Sequence, residues 1–197
     1  MATSFDPKRL EKAWARYKSK AIEAHTPFAA YLNDGANTNQ IDSAERAVSC
    51  NFPADLRHLL SLHNGSKEYQ VLAGWELFST ERIADEWKVW EGLYRTQFKP
   101  DNYKCEPYGP IKGDEWWRLR WIPFCGDGGG NHLCVDMEPA EGGISGQVIT
   151  MWHDEARREL MAKSLTEFVE MLASDFERGV LTWDDEWGGV YESNRPV

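Results

Sequence analysis

An α+β fold is what the order of elements in this sequence of 197 residues predicts. Three observations carry the prediction. Apolar residues recur at helical spacing through the first half of the chain, short aromatic and β-branched runs joined by turn residues follow from Trp116 to Trp152, and an amphipathic stretch closes the series from Ser164 to Gly179. This length buries one good core, so one domain with arms is expected and two full domains are not.

Asp6-Pro7 opens the first helix, with Asp6 as N-cap and Pro7 in the first turn, and Leu10, Trp14, Tyr17 and Ala21 form its apolar stripe. Thr26-Pro27 restarts a short helix through Tyr31, and the Asn- and Gly-rich run after it marks the end of an arm, residues 1–35. Ile41–Val48 reads as a helix. Phe52-Pro53 opens another, closed by Gly65, with Leu56, Leu59, Leu60 and His63 inward. Trp75–Phe78 reads as a short strand, and Ser79 caps a helix carrying Ile83, Trp87 and Trp90. Thr96–Gly113, with Pro100, Pro107 and Pro110, is expected to be a loop. Strands follow at Trp116–Phe124, His132–Val135 and Gln147–Trp152. Ser164 and Glu167 form a capping box before the last helix of a domain spanning 36–180, and 181–197 is an acidic tail with tryptophans.

Net charge is −10, which disfavours direct nucleic-acid binding and suits a partner with a basic surface. The charge is unevenly spread: residues 1–20 carry +4 and the remainder −14, so the basic helix and the acidic body attract each other. No run is long enough to span a bilayer, and the first ten residues contain no apolar signal core. Cys50, Cys105, Cys125 and Cys134 form no close pair and read as reduced, buried thiols, so a cytoplasmic location is expected.

Phe124–Asp136 packs four glycines into five positions and then reads as a strand. No lysine follows to make a phosphate loop, and no helix follows to make a dinucleotide fingerprint. Cys125, His132 and Cys134 with Asp127 or Asp136 could be metal ligands, and His153-Asp154 an acid/base pair, but the spacing fits no established zinc pattern. The remaining role is geometric: Gly128–Gly130 supply positive φ for a turn. No metal, cofactor or catalytic residue is expected.

These residues resemble the Smi/Knr type of the SUKH superfamily over roughly 40–180. The resemblance rests on Ile41 and Glu45, Phe52-Pro53, Asn64-Gly65, Trp121-Ile-Pro123-Phe124, Gly129-Gly130-Asn131, Val135-Asp136, Glu138-Pro139, Gly146-Gln-Val-Ile149 and Ala162-Lys-Ser-Leu165. It implies a mostly antiparallel sheet of about five or six strands backed by helices. It also implies that Glu45, Pro53, Gly65, Trp121, Pro123, Gly129, Gly130, Asp136, Pro139 and Gly146 are architectural.

Bacterial members of that superfamily resemble immunity proteins, and fungal members act as regulators of wall assembly. The first expectation is therefore an immunity protein that blocks a cognate toxin with a basic surface, a nuclease being one example. The alternative is a non-catalytic scaffold for wall or envelope synthesis, and the third is a metal-dependent hydrolase. Contact would fall on Glu138, Glu141, Asp154, Glu155, Trp183, Asp184, Asp185, Glu186 and Trp187, acidic residues beside aromatic anchors. The plainer reading packs both tail tryptophans onto the domain.

Overall fold

A computed structural model describes residues 5–98 and 103–194; Pro100 and the first four residues lie outside them. Helix α1, Pro7–Ala24, starts where Asp6 accepts the Lys8 N–H at 3.0 Å. It buries Leu10, Ala13, Trp14, Tyr17 and Ala21. A 3-10 turn over Thr26–Tyr31 leads to α2, Thr38–Ala47. That helix begins three residues before Ile41, because Asn37 and Gln40 form a reciprocal capping box inside the stretch that reads as turn-rich. α3 is Ala54–Leu62, α4 is Thr80–Leu93 and α5 is Leu165–Glu177, the last two capped by Ser79 and Ser164 as their sequences predict.

Six strands form one sheet: β1 Glu76–Leu77, β2 Glu106–Tyr108, β3 Trp121–Gly126, β4 His132–Asp136, β5 Gln147–Met151 and β6 Arg157–Ala162. Their order is β1-β3-β4-β5-β6-β2, antiparallel throughout except for β2 beside β6. The fold is thus α+β with a mostly antiparallel sheet. Every residue of β3, β4 and β5 is buried. Helices account for this, since Phe124 meets Phe168 of α5 at 6.3 Å while His132 meets Trp90 of α4 at 6.1 Å. Strands buried on both faces lose the two-residue alternation of a half-exposed sheet.

Strand assignments differ from the sequence reading at four places, the first being β3, which starts at Trp121 and not Trp116 because the Trp121 N–H closes a turn on the Arg118 carbonyl at 2.9 Å. The predicted Thr96–Gly113 loop contains β2, an edge strand whose Pro107 blunts outward pairing. β6 carries Arg-Arg-Glu, a poor strand signature, because Arg158 turns inward and is fully buried. The tail forms a separate hairpin, β7 Leu181–Asp184 with β8 Gly189–Glu192. Leu181 and Val190 anchor it in the core, and the Val190 N–H donates to the Gln70 carbonyl at 2.7 Å.

The arm and the body share this core. Arg9 pairs with Glu170 and Arg16 with Glu177, each at 2.5 Å, so the basic face of α1 lies against acidic residues of α5. These pairs are largely exposed and contribute little beside the buried stripe of Leu10, Trp14 and Tyr17.

Two glycines with nearly equal φ separate backbone strain from crowding. Gly65 has φ +84, and an added Cβ would lie 2.5 Å from the Ser79 nitrogen; Gly128 has φ +82 and open space. Gly128→Ala should cost about 1 kcal/mol from strain alone. Gly65→Ala should cost about 3 kcal/mol or more because overpacking adds to strain. Urea denaturation of the two variants measures the difference, and equal losses would mean that the Gly65 contact relaxes freely.

Candidate functional site

The glycine loop joins β3 to β4 and is held by one carboxylate. Asp127 accepts the Gly129 N–H at 2.7 Å, the Asn131 N–H at 3.1 Å and the Asn131 carboxamide at 2.7 Å. Asn131 then accepts the His153 N–H at 2.9 Å, tying this loop to the one after β5. Gly128 and Gly130 have positive φ; Gly129 does not, and packs beside Asp127 instead.

The residues weighed as metal ligands go to different places. Cys125, Cys134, His132 and Asp136 are buried in the sheet, Asp127 faces its own loop, and His153 and Asp154 are exposed. Among the described residues no three His, Cys, Asp or Glu side chains converge on a metal site. Burial holds the Cys125 and Cys134 thiols well above the ordinary cysteine value, which makes them poor nucleophiles.

The motif residues hold backbone. Glu45, on α2, accepts the Phe52 N–H at 2.7 Å and pairs with Arg57, which also reaches Asp42 at 2.9 Å. Pro53 is the N-cap of α3 and packs against Gly146, whose φ of +90 leaves a Cβ only 3.2 Å from the proline. Asp136, fully buried at the end of β4, accepts the Glu138 N–H at 2.9 Å and the Gln147 carboxamide at 3.1 Å. Gln147 reaches on to the Pro110 carbonyl at 3.0 Å, and Pro139 packs under Gly143. Trp121 meets Trp117 edge-on at 5.9 Å, and Pro123 marks the bulge in β3.

The expected contact residues fall into separate groups. Antiparallel pairing puts the β4–β5 connection, with Glu138 and Glu141, at one end of the sheet and the β5–β6 connection, with Asp154 and Glu155, at the other. Five residues of β5 set them about 17 Å apart. Glu138 is engaged by Lys112 at 2.5 Å, whose hydrogen bond, with its charge, holds the carboxyl below the usual range. Trp183 stacks on His25 at 4.0 Å and on Tyr31 at 5.3 Å, closing the hairpin against the arm. Asp184 accepts the Glu186 and Trp187 N–H groups and so shapes the hairpin turn. That turn presents Trp187, 58% exposed, between Asp185, Glu186 and Gly188. The Trp183 indole N–H donates to Asp185 at 2.9 Å.

Two buried bases complete the electrostatics. Arg158 donates to the carbonyls of Glu155, Arg157 and Trp116, and burial pulls its pKa down to about 10. His132 sits with Nδ1 3.3 Å from the Cys125 carbonyl oxygen, and burial lowers its pKa to about 4. Arg158 does not stand out in the sequence and His132 is read there only as a candidate metal ligand, since burial of a charged type leaves no local pattern.

Helices on both faces of a mostly antiparallel sheet, with motif residues that hold backbone where strands and helices meet, define the class of domain. The family model described as SMI1 / KNR4 family (SUKH-1) matches residues 35–171. The chain belongs to that family. It is 25% identical over 203 residues to the "Cell wall biosynthesis/cell cycle regulator smi1" of Schizosaccharomyces pombe, covering 91% of this chain and 38% of the relative. It is 23% identical over 207 residues to the "Glucan synthesis regulatory protein" of Neurospora crassa, covering 86% and 39%. With the "Cell wall assembly regulator SMI1" of Saccharomyces cerevisiae it shares 22% over 203 residues, covering 85% and 40%. The chain thus spans about two fifths of the length of these relatives.

Burial of histidine sets a pH response. His132 and His63 are held below their ordinary value of 6.5, so the unfolded chain takes up protons that the fold refuses. Their contribution to stability is full above about pH 6.5 and declines below it, for His132 down to about pH 4 and by about 2 kcal/mol at pH 5. Asp55 and Asp136, raised by burial, act in the opposite sense. Unfolding free energies at pH 7.5 and pH 5 should therefore differ, and His132→Gln should remove most of the difference. An unchanged slope in that variant would assign the response elsewhere.

Proposed function

We propose that this chain is a non-catalytic interaction module serving the regulation of cell-wall synthesis, and that it meets a basic protein partner through the β7–β8 hairpin tip. The observation that carries this reading is the tip itself. Trp187 is 58% exposed beside Asp185, whose side chain is 88% exposed, and Glu186, while Trp183 and Val190 clamp the base of the hairpin. A large aromatic held on a short rigid turn loses little entropy when it docks, and acidic neighbours steer a basic surface toward it. The regulators named above support the cellular role. Their names give no support to a toxin-neutralising role, so the wall reading takes precedence over the immunity expectation.

The hairpin also belongs to the core through Leu181 and Val190, so deleting the tail would damage the fold along with any contact. Point substitutions separate the two. A chimera of the Schizosaccharomyces pombe regulator, with its matching segment replaced by this chain, should retain wall synthesis. Trp187→Ala should abolish that rescue at unchanged melting temperature, and Asp185→Lys with Glu186→Lys should weaken partner binding by roughly ten-fold. A folded chimera that fails with the intact tip, or one that works equally well with Trp187→Ala, would sink the reading. Binding and protection against a co-encoded toxin would restore the immunity alternative.

A further inference from the structure

The arginines are almost all accounted for. Of the eleven described, eight face a carboxylate at salt-bridge distance. Arg158 is buried on backbone carbonyls. The two that remain, Arg46 and Arg120, come from distant parts of the chain, and both line one open cavity of about 590 Å³. On a protein of net charge −10, two arginines on one cavity with no carboxylate at salt-bridge distance among the described residues stand out from the pattern, although Arg120 also acts at longer range on Glu138, itself paired with Lys112.

The cavity's own acids are already engaged. Asp42 and Glu45 both pair with Arg57, and Glu45 also accepts the Phe52 N–H. Arg46 lies in the last turn of α2, where a cation ordinarily answers the helix carbonyls. Those carbonyls are satisfied here by backbone: Val48 donates to Ala44, Cys50 to Glu45 and Ser49 to Arg46, in a turn where Ser49 has φ +52. Among the described residues, the Arg46 guanidinium has one hydrogen-bond partner, the Ser43 hydroxyl at 2.8 Å. Arg120 reaches the same rim, close enough that its charge works against the burial that raises the Cys50 thiol.

We infer that the Arg46–Arg120 cavity is an oxyanion site that receives the phosphoryl group of a phosphorylated serine or threonine on a partner protein. Two guanidinium forks offer more donors than one carboxylate can accept, whereas a phosphate monoester brings three acceptor oxygens and nearly two charges. The exposed Ser49 and Asn51 at the rim add neutral donors. The word partner rests on the interaction reading above, but the site is tested without any partner.

O-phosphoserine, inorganic phosphate, serine and glutamate are titrated separately into the isotopically labelled full chain. Backbone amides of Ser49 and Cys50 and the Nε–H groups of Arg46 and Arg120 are followed by NMR. Phosphoserine and phosphate should give saturable shifts at these groups, and Arg46→Gln or Arg120→Gln should weaken binding by roughly ten-fold, the loss of one charge-assisted hydrogen-bond pair. Both side chains are exposed, so the melting temperature should hold. Glutamate binding as tightly as phosphoserine would overturn the phosphoryl assignment. No saturable shift up to about 50 mM, shifts confined to the lysines and arginines of α1, or undiminished binding in the double variant would overturn the site. None of these outcomes depends on the hairpin tip, so the two proposals fail separately.

Discussion

Residues 64–66 form the joint on which the rest of the fold depends. On one side the Asn33 N–H donates to the Gly65 carbonyl at 3.0 Å and the Asn64 N–H to the Asp34 carbonyl at 2.9 Å, fixing the end of the arm. On the other, Ser66 exchanges hydrogen bonds with Leu77, and Asn64 accepts the Thr80 N–H at 2.8 Å, fixing β1 and the start of α4. Two chain segments therefore close on the same three residues. The backbones approach so nearly that only a residue without Cβ fits between them.

α4, whose start that joint fixes, and α5 bury the sheet on its two faces, and burial then governs its chemistry. Polar groups inside must find partners within the protein. Asp136 finds the Glu138 N–H and Gln147, Asp55 finds the N–H groups of Leu56 and Thr166, and Arg158 finds three carbonyls. Removing any of these partners would strand a desolvated group, which explains why the motif residues sit where strands and helices begin and end. The same burial raises the Cys125 and Cys134 thiols well above the ordinary cysteine value and keeps His132 neutral near pH 7.

Surface charge follows a simple division. The basic face of α1 is answered by α5, and most other arginines by nearby acids, so the excess negative charge collects on the connections and the tail. The hairpin tip and the Arg46–Arg120 cavity are two departures from this balance. One pairs acidic residues with an aromatic anchor, and the other lines a cavity with two arginines that hold no carboxylate at salt-bridge distance among the described residues.

The sequence by itself determined the elements whose signals are local. Asp6-Pro7, Ser79 and Ser164 announce helix starts because capping is settled within four residues, and the stripes of α1 and α5 announce their buried faces by spacing alone. It also made the motif residues legible as architecture through the resemblance they carry. It did not reveal β2, β6 or the tail hairpin, because each owes its conformation to a neighbour distant in sequence. Pro107 is tolerated only at a sheet edge, Arg158 only beneath Trp116, and Trp183 finds its place only against His25 and Tyr31. The expected contact residues were likewise read by type, and only antiparallel register could send Glu138 and Asp154 to opposite ends of the sheet. Charge and aromatic character are properties of residues, whereas proximity is a property of the folded chain.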